Sequence, residues 1–312
     1  MSAVTGARTL RVGTRASRLA TTQSQHVADL ITRELGEPTA LVEVTTEGDT
    51  NRAPLAQIGG TGVFVGALRE ALLRGDVDVA VHSLKDLPTA PADGIALAAV
   101  PPREDPRDAV VARDGLTLGE LPAGSRVGTG SPRRAAQLAA LGLGLEVVAI
   151  RGNVDTRLRK VADGEVDAVV LARAGLARIG RVDEVTETLD PLQMLPAPGQ
   201  GALAIECRAD DEHLRALLAS LQDRRARATV DAERAVLAAL EAGCSAPVGA
   251  LAEVAEGDDG DELWIRAVAL AADGSVEIRR SASGDPSDAA GVGHRLAGEM
   301  LADGAAELMD NQ

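Results

Sequence analysis

“RVGTRASRLATTQ”, residues 11–23, returns as “RVGTGSPRRAAQL”, residues 126–138. Each copy reads as a strand end, a Gly-Thr turn, a serine and then a helix. A second pair follows in the same order: “GDVDVAVHSLKDL” from Gly75 and “GEVDAVVLARAGL” from Gly164. Each of these reads as a turn, a buried β-branched strand and a loop carrying basic side chains. βα units can share such patterns without common origin, but two matches in one order favour two related α/β halves. The first halves of the pairs lie 64 residues apart and the second 38. The first half therefore carries an insertion, seated at “EGDTNRAPLAQIGGTGVF” (47–64).

Strands alternating with amphipathic helices imply mixed, mostly parallel sheets with covered faces. First-half strands are expected near 9–13, 41–46, 77–82 and 94–99, and second-half strands near 108–112, 126–128, 145–150 and 167–172. Two proline-rich crossings, “VPPREDP” (100–106) and “LPAPGQG” (195–201), suit a chain that enters a second domain and comes back. “GALAIEC” (201–207) is then the returning strand. From about residue 222 the pattern changes. “ATVDAERAVLAALEAG” reads as a helix closed by Gly243, “LWIRAVALAADGSVEIRRS” as two strands with an Asp-Gly turn, and about 287–302 as a last helix. The expected division is domain 1 (1–101 plus 201–219, with a mobile loop at about 47–64), domain 2 (105–196) and a small α+β domain 3 (222–312).

With 312 residues, 45% of them hydrophobic, the chain can bury a sizeable core. It has one Trp, one Phe and no Tyr, and its net charge is −15. Stacking on bases and binding along a phosphate backbone are both disfavoured, so no nucleic-acid partner is expected. Two cysteines are too few for a disulfide framework. There is no membrane-length apolar run and no signal-peptide core, which makes a cytoplasmic protein the expectation. The four histidines lack metal-ligand spacing, so no metal is expected.

Only Lys85 and Lys160 are lysines; the other thirty basic residues are arginine. A high-GC codon bias accounts for most of that number, but not for the placement. In “TGSPRRAAQ” (129–137), Ser131 can cap a helix and Pro132 suits its first position. Arg133 and Arg134 then oppose the helix dipole at a cost of a few tenths to about 1 kcal/mol, which makes sense if an anion docks there. Arg15, Ser17 and Arg18 repeat the arrangement in the first half. Arg151 ends another strand, at the edge where open α/β sheets meet ligands, and Arg157 and Arg178 follow. Guanidinium forks suit carboxylate or phosphate; no Walker sequence is present. Arg159 and Arg173 are read as solvated surface residues.

“VHSLKDLPT” (81–89) places Lys85 and Asp86 in a loop after a strand, where catalytic groups tend to lie. Asp86 could stabilise a cationic intermediate and shuttle protons; a local ion pair or a turn-forming Asp accounts for it equally well. His82 is read as structural and Cys207, at the end of an apolar strand, as a buried small hydrophobe. Cys244, in “EAGCSAPVGA”, sits on a loop with no histidine partner in view, so a cysteine-dependent hydrolase is not supported.

Together, “GTRASRLA”, “GGTGVFV”, “DVAVHSLKDLPT”, “GTGSPRRAAQL”, “IRGNVDTRLRK”, “LARAGLARIG”, “PAPGQGALAIE” and “EAGCSAPVGA” closely resemble the porphobilinogen deaminases, also called hydroxymethylbilane synthases. The matches span about residues 10 to 250; the last sixty residues add little. The resemblance implies two domains like those of type II periplasmic binding proteins plus a third. It also implies a transferase of tetrapyrrole (haem) biosynthesis that joins four porphobilinogens head to tail and releases hydroxymethylbilane and four ammonia. It implies a dipyrromethane cofactor covalently bound through Cys244, with Lys85, Thr129, Ser131, Arg133 and Arg134 holding its carboxylates. Arg15, Ser17, Arg151, Arg157 and Arg178 would hold substrate or growing chain, with Phe64 and Gln200 nearby, and Asp86 and Lys85 would be catalytic. A monomer is expected, with room for a transient handover to the next pathway enzyme. Relatives carry “AKVGGKGLF” where this chain has “AQIGGTGVF”, so Gln57 and Thr61 stand in place of loop lysines and Arg52 is the nearest substitute. The rival expectation is a non-catalytic solute-binding protein for a carboxylated ligand.

Overall fold

The computed structural model describes residues 8–44, 62–242, 246–257 and 260–310. The chain divides into two compact units: the first runs to Pro102 and resumes over Leu203–Asp223, and the second holds Arg103–Ala202 and Arg224 onward.

In the first unit, β1 (Leu10–Thr14), β2 (Thr39–Glu43) and β3 (Val79–Ser83) pair in parallel. The last strand, β10 (Leu203–Arg208), enters antiparallel between β3 and β4 (Ile95–Ala99), giving the order β2-β1-β3-β10-β4. Helix α1 (Arg18–Leu35) covers the sheet with Val27, Ala28 and Ile31. It starts on the Ser17 cap and stops at Gly36, whose φ of 71° no β-carbon opposes. Helix α2 (Gly62–Arg74) packs Leu68, Ala71 and Leu72 against Val77 and Ala80, and α6 (Glu212–Ala219) packs Leu214 and Leu218 into the main core of this unit.

The second unit repeats this order. In its first sheet β6 (Arg126–Thr129), β7 (Glu146–Ala149) and β8 (Ala168–Ala172) are parallel, and β5 (Asp108–Ala112) runs antiparallel between β8 and the short β9 (Glu187–Thr188), giving β7-β6-β8-β5-β9. The repetition extends to single hydrogen bonds. Asp78 N–H donates to Arg11 O and Asp167 N–H to Arg126 O, each at 2.8 Å. The Asp78 carboxylate accepts from Arg11 N–H at 3.0 Å, and that of Asp167 from Arg126 N–H at 2.6 Å. These four residues occupy the repeated positions of the two sequence pairs. Helices α3 (Pro132–Ala140), α4 (Val154–Ala162) and α5 (Arg173–Arg178) follow the three parallel strands.

The same unit carries a second sheet, β11 (Val248–Gly257), β12 (Gly260–Leu270) and β13 (Glu277–Gly284), all antiparallel. Helices α7 (Arg224–Ala239) and α8 (Ala289–Ala302) cover one face around Val236, Leu263, Ile265, Val292 and Leu296, and α9 (Ala305–Asp310) ends the chain. On the other face Leu251, Val268 and Leu270 pack with Ala136 of α3 and with Leu195. The sequence suggests two strands here; the structure has three. “VGALAEVAEG” has the Ala and Glu content of a helix, and its pairing along β12 overrides that preference. The Asp273-Gly274 turn is part of a longer connection, residues 271–276, and α8 begins at Ala289 after a 3-10 turn at Pro286–Asp288. Gly243, read as the stop of α7, lies outside the described residues; the helix itself ends at Ala239.

One buried ion pair in the first unit has a pH signature. Glu206 of β10 accepts both arms of the Arg69 fork, at 3.0 and 2.6 Å, with His82 Nε2 3.3 Å away but off the line of a hydrogen bond. Burial opposes the charge, and His82 and Arg69 more than offset it, holding the carboxyl at about 2 against an ordinary 4.5. A lowered carboxyl stabilises the fold above its unfolded pKa and loses that contribution as pH falls through the folded one. The difference corresponds to on the order of 3 kcal/mol. The gap in Tm between wild type and Glu206→Gln, wide at pH 7, is therefore expected to narrow below pH 4.5 and to close near pH 2. A gap constant across that range would contradict the assignment.

Candidate functional site

Arg15, Ser17, Lys85, Asp86, Thr129, Ser131, Arg133, Arg134, Arg151, Arg157 and Arg178 lie at the C-terminal ends of the parallel strands or on the segments that follow. In the first unit β1 leads through Arg15 to Ser17, whose Oγ caps α1 by accepting the Ala20 N–H at 3.4 Å. Thr14 and Thr21 hydroxyls donate to the Arg15 carbonyl. After β3 a 3-10 turn, Leu84–Asp86, closes with Leu87 N–H donating to Leu84 O. Leu84 and Leu87 are buried in the core, so Lys85 and Asp86 are carried half-buried on the turn they pin. Gln23 of α1 hydrogen-bonds Ser83 at 3.0 Å, tying the first of these segments to the second. Phe64 falls inside α2, and its side chain lies outside the described residues, as do Arg52, Gln57 and Thr61.

In the second unit Ser131 caps α3 and Pro132 takes its first position. Thr129 is buried and its Oγ1 accepts the Ser131 N–H at 3.2 Å. Arg133 and Arg134 are only 3% and 5% exposed, and they share one carboxylate, Asp108, which is fully buried. Arg133 Nη2 reaches Asp108 Oδ2 at 2.8 Å; Arg134 reaches Oδ1 through Nε at 3.1 Å and Nη2 at 2.8 Å. The anion that the helix start called for is thus, in part, a residue of the chain itself. Gln200 is buried: its Nε2 donates to Pro106 O at 2.7 Å and to Asp108 at 2.8 Å, and its Oε1 accepts from Arg134 at 3.4 Å. Gly201, at φ +87°, lets the returning segment cross Glu104 O, which a β-carbon would meet at 2.4 Å.

Arg157 on α4 is different. It is half-buried, its Nε donates to Gly152 O at 2.9 Å, and it has no ion pair among the described residues. Burial, and then the nearby Arg134, push its pKa down. Gly130 makes room beside it: a β-carbon there would meet Ile150 O at 2.7 Å and Arg157 Nη2 at 3.6 Å. Arg178, at the end of α5, donates to Gly201 O at 2.6 Å and is pushed down to about 10 by burial, which Glu104 only partly offsets. Arg151 is exposed just beyond β7. Arg133 adds a buried donor atom, Nε, with no partner among the described residues.

Two readings made from the sequence concern cysteine. Cys207 is fully buried on β10, and burial pushes its thiol up to about 11, so it is inert at neutral pH. Cys244 lies outside the described residues. Sequence reasoning missed Asp108, Arg103 and Glu233. The signal for Asp108 was a lone carboxylate heading the apolar run “DAVVA”.

Fold and site define an α/β protein whose repeated strand-end loops carry cations, one of which, Arg157, has no ion pair among the described residues, the makings of a binder of polycarboxylate. Residues 10–216 match the family described as porphobilinogen deaminase, dipyromethane cofactor binding domain, and residues 227–302 match porphobilinogen deaminase, C-terminal domain. Porphobilinogen deaminase of Mycobacterium tuberculosis (strain ATCC 25618 / H37Rv) is 60% identical over 305 residues, covering 96% of this chain and 98% of that one. The enzyme of Nocardia farcinica (strain IFM 10152) is 59% identical over 96% of this chain and 88% of its own. A periplasmic substrate-binding protein of an ABC transporter from Coxiella burnetii aligns with a TM-score of 0.43 and 16% identity over 68% of this chain and 91% of its own, a likeness that bears no argument. The chain belongs to the porphobilinogen deaminase family.

Proposed function

We infer that the protein is a hydroxymethylbilane synthase: it condenses four porphobilinogens head to tail, releases four ammonia and frees the linear tetrapyrrole, using a dipyrromethane cofactor. The observation that carries this reading is Arg157, a half-buried cation with no ion pair among the described residues, beside a second cation, Arg134. Such a group favours an anionic ligand, and every pyrrole of this reaction carries an acetate and a propionate. The buried, unpartnered Nε of Arg133 fits the same carboxylate-rich group.

When bound, the cofactor supplies a covalently held primer with a free pyrrole end. Cys244 is the attachment point; the other cysteine, Cys207, is buried and its thiol is raised to about 11. Arg133, Arg134, Ser131, Thr129 and Lys85 hold cofactor carboxylates, with Gln200 acting through Arg134. Arg15, Ser17, Arg151, Arg157 and Arg178 hold substrate and growing chain. Ser17 and Ser131 accept from the helix backbone through Oγ, which leaves each hydroxyl proton free to donate to a carboxylate. Asp86, carried on its pinned turn, stabilises positive charge on pyrrole nitrogens and moves protons as ammonia leaves.

No described helix is long and apolar enough to cross a membrane. A cytoplasmic monomer without nucleic-acid partner, handing its product transiently to the next enzyme, completes the reading. So does the three-domain division at 1–101 with 201–219, 105–196 and 222–312, supported by the separate core around Val236 and Leu263.

The test is intact mass together with product formation. Wild type is expected to weigh its polypeptide plus two pyrrole units and to convert porphobilinogen. Cys244→Ser is expected to weigh the bare chain and make no product, a hydroxyl being far less nucleophilic than a thiolate. Wild-type protein that turns over at bare polypeptide mass would falsify the reading. A bare wild type that binds porphobilinogen without converting it would favour a solute-binding protein.

A further inference from the structure

We propose that Asp108 is a positioning residue that aims Arg133 and Arg134 at the cofactor carboxylates. This rests on the reading that the two arginines hold the cofactor. Arg133 and Arg134 are neighbours in the first turn of α3, so their side chains leave the helix about 100° apart. Left alone, the two would not act on one ligand group. Asp108, at the head of β5, draws both toward itself. Its Oδ2 takes Arg133 Nη2, and its Oδ1 takes Nε and Nη2 of Arg134 and Nε2 of Gln200, four donors on one carboxylate. That matches the accepting capacity of a carboxylate.

Backbone carbonyls lock the far side of each fork: Leu195 O accepts from Arg133 and Val170 O from Arg134, the latter at 3.2 Å. Leu195 is itself fixed by Gln137, which donates to its O at 3.0 Å and accepts from its N–H at 2.8 Å. Arg133 Nε is then a buried donor atom with no partner among the described residues. The trio also keeps one net positive charge. A buried charge cluster is weak ground for stability, since well-packed apolar side chains often do as well. Its use here is orientation: one internal carboxylate keeps two adjacent guanidiniums charged, close and fixed, with a directed donor left over.

The experiment compares cofactor loading with fold stability in the full-length chain. Asp108→Asn keeps the shape but loses the charge and half the acceptor capacity. With porphobilinogen as the only added ligand, its acquisition of the two-pyrrole mass is expected to be about 10- to 100-fold slower than wild type. In a Cys244→Ser background, where no cofactor attaches, Asp108→Asn is expected to lower Tm by only a few degrees. Loading at the wild-type rate overturns the proposal, and so does a loading defect no larger than the fraction of unfolded protein. If Asp108→Asn does not fold, Asp108→Asn with Arg134→Gln preserves the trio's net charge. Loading by the folded double variant slower than by Arg134→Gln alone is expected, and loading at the Arg134→Gln rate overturns the proposal. Arg133→Leu separates the two levels: normal loading there sinks the reading that the arginines hold the cofactor, whatever Asp108 does.

Discussion

Replacing Asp86 by asparagine is expected to lower kcat by about 10²- to 10⁴-fold while the protein still carries its cofactor. The side chain sits on a single 3-10 turn whose flanking leucines, Leu84 and Leu87, are buried at 0% and 2% exposure. Asn has the same size and keeps that turn, so Tm should stay within about 2 °C of wild type. The loss is therefore one of charge and of a proton-accepting atom, which in the proposed role act where ammonia leaves and positive charge appears on a pyrrole. KM should change little if, as proposed, the arginines rather than Asp86 hold the substrate. Asp86→Glu, which restores the carboxylate one methylene further out, should recover part of the rate. Steady-state kinetics with intact mass decides it: kcat near wild type in fully loaded Asp86→Asn removes the carboxylate from the mechanism.

The largest stability effect is expected at Glu233. This carboxylate is fully buried on α7 and accepts four N–H groups: Arg103 Nη1 at 2.7 Å, Arg103 Nη2 at 2.9 Å, and the backbone of Gly199 at 2.7 Å and Ala252 at 2.8 Å. Arg103 also donates to Gln200 O at 2.9 Å. One residue therefore ties the outgoing crossing, the returning crossing, α7 and β11. Glu233→Ala leaves a buried cation without its counter-charge and two backbone donors without an acceptor, which costs about 3–5 kcal/mol. At roughly 2–4 °C per kcal/mol, Tm should fall by about 6–20 °C. Arg103→Met with Glu233→Met should recover part of that loss, because an apolar pair strands no charge. A melting shift under about 2 °C in Glu233→Ala would show that the cluster contributes little.

The duplicated stretches made the two like-ordered sheets legible, because strand, turn, cap and helix each leave a local mark. Ser17 and Ser131 cap as their spacing predicts, and the returning strand lies where the second crossing ends. β11 did not announce itself, since its residues favour a helix until β12 is beside them. The candidate site was legible in its cations and hidden in its anions. Arg133 and Arg134 stand out in a helix start, but Asp108 lies 25 residues earlier in a strand, and only the fold brings it within 2.8 Å. The same holds for Arg103 and Glu233, 130 residues apart. Gln200 carries the converse lesson: its place in the “PGQG” stretch marks it as special, yet the burial that turns it toward Arg134 and Asp108 is a tertiary fact.

Strand β10 lies between β3 and β4, so the first sheet waits for residues 203–208 before its middle is filled. On the ribosome, the opening hundred residues must emerge with β3 and β4 lacking the neighbour that joins them, while β5 to β9 can already pair. The amino-terminal half is thus the later one to close, and a nascent chain halted near residue 102 would present unsatisfied strand edges to chaperones.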